Sequence, residues 1–141
     1  MAYERSKLVD WDAFATARTQ LGGGFVRILG YFQEDGTKSV DAIETAMRAK
    51  NAAALVIPAH TLKGEARQFG AEPLAEAAET IEMIARKCVE THDSPDEALA
   101  TVVGLRELFN DTLVLLLREA NPLVERRPGF GRRAVGGFGQ G

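Results

Sequence analysis

The chain has 141 residues, of which 45% are hydrophobic and 26% charged, the size and composition of one globular domain. No apolar run approaches the roughly 18 to 20 residues that span a bilayer, the start MAYERSKLVDWDAF has no apolar signal core, and the lone Cys88 excludes a disulfide framework or a multi-cysteine zinc site. Net charge is −3, but residues 1–120 carry 13 Lys/Arg against 19 Asp/Glu, and an acidic body argues against nucleic acid as the main partner.

A first short helix is expected to begin after Asp10 or Asp12 and to run through Trp11, Phe14 and Ala17 toward Gln20, where Gly22-Gly23-Gly24 breaks it. The next segment places apolar residues at 25, 28, 29, 32, 40, 43 and 47, which is helical spacing. It reads as one long helix, with a break at Gly36 as the alternative. Asn51 is a good N-cap for a third helix from 52 to about 69, ended by Gly70 in a left-handed conformation. Pro58 lies inside it and should kink it. The fourth helix starts near 71–73, with Pro73 tolerated in the first turn, and Leu74, Ala77, Ala78, Ile81, Ile84 and Ala85 form its apolar stripe. Ser94-Pro95 reads as the opening of a last helix through Leu99, Val102, Val103, Leu105, Leu108, Phe109, Leu113 and Leu116 to Ala120.

Four long amphipathic segments with short connections predict an all-α fold: an antiparallel up-down-up-down four-helix bundle capped by the short N-terminal helix. The bundle domain is expected over residues 1–120. Residues 121–141, with Arg126, Arg127, Arg132 and Arg133 against Glu125, are expected to be a flexible Gly/Arg-rich tail.

His60, one of two histidines, sits in the third helix with Lys63 and Gly64 beyond it. On a wheel of about 100° per residue, Leu55, Leu62, Ala66 and Phe69 gather roughly 180° to 240° from His60, so the imidazole points away from the core. Val56, Ile57, Lys63, Gly64 and Arg67 surround it. Glycine inside a helix costs about 1 kcal/mol relative to alanine, which asks for a reason. A solvent-facing neutral imidazole is a nucleophile near pH 7. An ammonium three residues on compensates phosphate charge, and a glycine at i+4 keeps that face flat for another protein's active site.

The run H-x-L-K-G-x-A-x-x-F-G-A-x-x-L, His60 through Leu74, closely resembles the signature of histidine phosphotransfer (HPt) domains, the phosphocarriers of two-component phosphorelays. The likeness extends less sharply from about Leu21 to Glu119. It implies a four-helix bundle with His60 as phosphoacceptor through Nε2, Lys63 beside the phosphate, and Gly64 as the clearance residue. It also implies Glu82 as a hydrogen-bond partner of the imidazole. Pairing of Glu82 with Arg86 at i+4 stands as the equal alternative, and Arg86 could itself lean toward phosphate. Gly64, Val56, Ile57, Arg67 and Gln68 would meet the docking partner. Glu65, Arg67, Gln68 and Pro58 depart from the common family pattern and bear on which partner docks.

The resemblance implies response-regulator receiver domains and a hybrid histidine kinase as partners. It further implies a phosphocarrier rather than an enzyme, with no cofactor or metal of its own and with Mg2+ and most catalytic groups supplied by the partner. A cytoplasmic monomer without membrane or nucleic-acid partners is expected. Two other readings compete: a structural helical adaptor that has lost transfer, and the phosphoacceptor domain of a larger histidine kinase. The start MAYERSKLVDW and the Gly-rich end favour a separate protein. Cys88 reads as packing, and His92 as a solvated loop residue.

Overall fold

The computed structural model describes residues 7–120. Helix α1 spans Trp11–Leu21, and a 3-10 turn Gly22–Gly24 leads into α2, Phe25–Arg48. Then come α3, Ala52–Gln68, and α4, Glu72–Thr91. A second 3-10 turn, Asp96–Ala98, precedes α5, Leu99–Ala120. The four long helices α2 to α5 form the bundle, and α1 packs at one end against α2 and α3. The expected tail, and with it the proposed domain boundary at 120, lies outside the described residues.

Helix ends follow local chemistry. Asp10 Oδ1 accepts from the backbone N–H groups of Asp12 and Ala13, both at 3.1 Å, and so caps α1. Asn51 Oδ1 accepts from Ala54 N at 3.1 Å and caps α3. Gly70 follows α3 with φ +78°, and a Cβ there would stand 2.6 Å from the carbonyl oxygen of Asp10. The contact is used: Asp10 N–H donates to Gly70 O at 2.7 Å, which ties the start of α1 to the end of α3. His92 ends α4 in the left-handed region at φ +58° and is exposed.

The core is continuous from end to end. Phe14, Phe25, Phe69, Phe32 and Phe109 form a chain of rings with centroids 5.2 to 5.7 Å apart, mostly edge to face. Leu29, Ile43, Leu55, Leu62, Leu74, Ile81, Leu105 and Leu116 fill the rest. Cys88 belongs to the buried side of α4. On the surface, Arg106 of α5 reaches Asp41 and both oxygens of Glu44 on α2, and this pairing holds the Glu44 carboxyl below its usual range.

One alternative falls away and one expectation changes. The alternative break at Gly36 is not taken: α2 is unbroken, and Gly36 is there because a Cβ would meet the Phe109 ring at 2.5 Å. Ser94-Pro95 does not open the last helix directly. Ser94 Oγ bonds Asp96 Oδ1 at 2.7 Å, and the 3-10 turn intervenes before α5. Leu99 and Val103, two of the apolar positions along the last helix, are exposed. They line an open hollow with Glu44, Met47 and Arg48 of α2, which does not close over them. Helix α3 runs through Pro58 to Gln68.

Candidate functional site

The site lies on the outer face of α3 and its seam with α4. Ala59 and Leu62 are fully buried on either side of His60, so the register of α3 turns the imidazole outward. The His60 side chain is 58% exposed. Its Nδ1 lies 3.0 Å from Glu82 Oε2. Since a carboxylate oxygen accepts, Nδ1 carries the proton and the Nε2 lone pair is left on the exposed edge of the ring.

Glu82 is the hub. It is a buried charged residue on α4, its side chain only 5% exposed. Oε2 accepts from His60 and also from Arg86 Nε and Nη2, at 2.9 and 2.8 Å. Oε1 forms a 2.8 Å ion pair with Lys63 Nζ, without the alignment of a good hydrogen bond. Burial alone would raise the carboxyl pKa. Contacts from Lys63, Arg86 and His60 outweigh that and hold it at about 2, so Glu82 is ionised throughout the physiological range. The two rival readings of Glu82 are therefore both realised: one oxygen faces the imidazole and Arg86 together.

Lys63 departs from expectation in one respect. Its side chain is only 20% exposed and lies along the seam against Glu82 rather than standing free in solvent. Arg86 is more open, at 55%. The imidazole is thus flanked by two cations anchored on one carboxylate.

Gly64 is exposed, and a Cβ built on it would meet nothing within 4 Å. No internal packing demands a glycine there. Ile57, 68% exposed, sits on the same face, while Val56 is half-buried in the bundle. Gln68 is exposed. Arg67 is exposed but engaged, its Nη2 donating to Glu79 Oε1 at 2.9 Å with Glu72 at 3.9 Å. The α3–α4 seam thus brings together His60, Lys63, Glu82 and Arg86. The remaining candidates, Gly64, Val56, Ile57, Arg67 and Gln68, lie along α3 beside them, outside the network centred on Glu82.

Two features of this region were not singled out from the sequence as they appear. Met83 is 64% exposed on α4, directly after Glu82. The signal was present, since position 83 falls outside the apolar stripe of α4, yet an isolated methionine draws no notice. Glu65, which follows Gly64, is half-buried, and its Oε1 is enclosed without a hydrogen-bond partner. Burial first, and then Asp35 across the seam on α2, raise its pKa to about 7. Sequence showed only that a carboxylate stood there.

Among the described residues, no group of three or more His, Cys, Asp or Glu is arranged to hold a metal ion. No described helix is long and apolar enough to cross a membrane.

An outward imidazole held by a buried carboxylate on the next helix of a four-helix bundle defines the histidine phosphotransfer class. The chain belongs to the Hpt domain family, whose pattern matches residues 27–120. The fold is similar to the crystal structure of histidine-containing phosphotransfer protein B (HptB) from Pseudomonas aeruginosa PAO1, with a TM-score of 0.72 and 22% identity, covering 83% of this chain and 97% of that one. A comparison with curated protein sequences gives no match.

Proposed function

We infer that this protein is a phosphorelay carrier. It takes a phosphoryl group from the aspartyl phosphate of a receiver domain onto His60 and gives it to the aspartate of a second receiver. The Nε2 lone pair attacks phosphorus in line with the departing carboxylate oxygen. The N–P bond forms, the P–O bond of the acyl phosphate breaks, and its electron pair stays on the donor's aspartate. The Nδ1–H bond to Glu82 persists, so developing positive charge on the ring is met by a fixed carboxylate. Lys63 and Arg86 lie on either side to offset the charge of the transferring group, and such transfer depends chiefly on positioning and charge compensation. The divalent cation and most reacting groups belong to the receiver.

One observation carries this reading: Nδ1 of His60 is tied to a buried, ionised Glu82 while the opposite edge of the ring is open beside a glycine with free space above it. Gly64, Ile57, Val56, Arg67 and Gln68 are the proposed docking surface. The acidic body, with net charge −6 over residues 1–120, favours a protein partner over nucleic acid. Cytoplasmic location and a monomeric state complete the proposal.

The test is phosphorylation of full-length chain with phosphoramidate, a small donor of phosphoryl groups to histidine, followed by peptide mapping. The wild type acquires an acid-labile phosphate on His60. The His60→Gln variant gives up the imidazole bond to Glu82, stays folded with a stability loss of at most about 1 kcal/mol, and acquires none. Label on His92, or equal label in the variant, overturns the reading, and absence of label in the wild type leaves only the structural adaptor.

A further inference from the structure

On the side of α4 turned away from His60, the seam with α5 stays open. A groove of about 480 Å3 lies there, lined by Glu76, Ala77 and Thr80 on α4 and by Gly104, Glu107 and Asp111 on α5. Ala77, Thr80, Ala100 and Gly104 give its walls small side chains beside Leu108. A Cβ on Gly104 would meet nothing within 4 Å, so there is room for a flat apolar ring. Its rim is acidic: Glu76, Glu107 and Asp111 are all exposed. The ion pairs that order other faces use different carboxylates, with Arg106 on Asp41 and Glu44, and Arg67 on Glu79.

The chain itself carries a segment of matching chemistry. Beyond Ala120, the end of α5, follow residues 121–141 with Arg126, Arg127, Arg132, Arg133 and the aromatic residues Phe130 and Phe138, against one acidic residue, Glu125. Four cations on one segment face a body of net charge −6. The reach is also sufficient. Asp111 lies about 14 Å back along the α5 axis from Ala120, and Gly104 about 24 Å, at about 1.5 Å per residue. Extended chain spans about 3.3 Å per residue, so Arg126 reaches about 20 Å and Phe130 about 33 Å from the same point.

We propose that residues 121–141 return along α5 and occupy the α4–α5 groove of their own bundle. Tethering favours this occupant over a free partner, because the groove sees its ligand at the high effective concentration set by a short linker. The groove faces away from Glu82 on α4, so the docked segment leaves the His60 face clear. This proposal does not depend on phosphotransfer.

The experiment uses the full chain with Cys88→Ala and a nitroxide attached through Ala134→Cys. Paramagnetic loss of amide signal is read residue by residue. The expected result is strong loss at Thr80, Gly104 and Glu107, little at His60 and Gly64, and recovery at high salt, where charge contacts are screened. The triple variant Glu76→Lys, Glu107→Lys, Asp111→Lys abolishes the loss at Thr80 and Gly104. Adding Arg126→Glu, Arg127→Glu, Arg132→Glu and Arg133→Glu to that background restores it, which also controls for any folding defect of the triple variant. Signal loss centred on the His60 face, no loss at the groove, or loss insensitive to both reversals overturns the proposal. So does loss that appears only between separately labelled molecules, since the groove would then take a second copy.

Discussion

The fold treats two carboxylates on the two seams of α3, Glu82 toward α4 and Glu65 toward α2, in opposite ways. On the α4 side, Glu82 is buried among Lys63, Arg86 and the imidazole, and its pKa is held at about 2. On the α2 side, Glu65 is half-buried with no cation, faces Asp35, and is raised to about 7. At neutral pH the same functional group is an anion at one position and about half protonated at the other. Burial disfavours charge at both positions, and the difference is made by partners. The buried anion on the α4 side fixes the imidazole and anchors two cations near the nucleophile.

The largest test of this contrast is Glu82→Gln. A carboxyl with folded pKa near 2 and an ordinary value of 4.5 contributes stability that is fully present above pH 4.5 and is lost as pH falls through 2. At about 1.4 kcal/mol per unit, the contribution is up to about 3 kcal/mol at neutral pH. The variant should lose that amount at pH 7, measured by urea denaturation, and its stability should fall less than that of wild type between pH 4.5 and 2. Equal acid sensitivity of the two proteins would show that the stabilising carboxylate lies elsewhere.

Glu65→Gln should act in the opposite direction and more weakly, by about 1 kcal/mol, since the group is only partly enclosed. Its folded pKa is raised above the unfolded value, so ionisation opposes folding, and wild-type stability declines as pH rises from 4.5 through about 7. The variant should therefore gain stability at pH 8 while differing little at pH 4. A loss at pH 8 would mean that ionised Glu65 has a partner in solution and that the two flanks are more alike than their surroundings indicate.

Much of this was legible in the sequence, and the omissions have a common cause. Helix ends that depend on local chemistry were readable: the Asn51 cap, the left-handed Gly70 and the break at Gly22 each depend on neighbouring residues. So was the outward placement of His60, which follows from periodicity. Gly36 was not interpretable, because the Phe109 ring that excludes a side chain there lies 73 positions away in the chain. The two readings of Glu82 could not be decided from spacing, since i+4 proximity to Arg86 and contact with α3 are compatible once two helices meet. Which apolar positions of the last helix are buried was not readable, because its start, Leu99 to Leu105, carries no charged residue and periodicity then gives no direction.

Lys63→Ala sharpens the α4 flank further. A free surface lysine would contribute almost nothing, but Lys63 lies largely covered along the seam with Nζ 2.8 Å from Glu82 Oε1. Its removal should cost about 1 kcal/mol, because Arg86 and His60 still pair with the carboxylate. Phosphoryl transfer to and from His60 should slow as well. Unchanged stability together with slowed transfer would mean that the lysine leaves Glu82 readily and acts on phosphate alone.

The smallest effect on the fold is expected at Gly64, and it carries the most information about docking. Gly36 and Gly64 both lie inside helices, where glycine costs about 1 kcal/mol against alanine. At Gly36 the packing explains it, since an added Cβ would meet Phe109 at 2.5 Å, whereas at Gly64 a Cβ would meet nothing within 4 Å. Gly64→Ala should therefore stabilise the bundle, by up to about 1 kcal/mol in thermal or urea unfolding. Packing gives no reason to retain the glycine, as it gives none at Gly30 or Gly104, and what sets Gly64 apart is its place one turn from His60, where clearance for a partner is the proposed reason. Transfer from a phosphorylated receiver should then fall in Gly64→Ala and fall further in Gly64→Gln, while labelling by phosphoramidate, which needs little room, should be nearly unchanged in both. Equal losses with both donors would place the defect in the imidazole rather than in docking. A loss of stability in Gly64→Ala would mean that the helix needs glycine for its own packing, and clearance for a partner would no longer explain the residue.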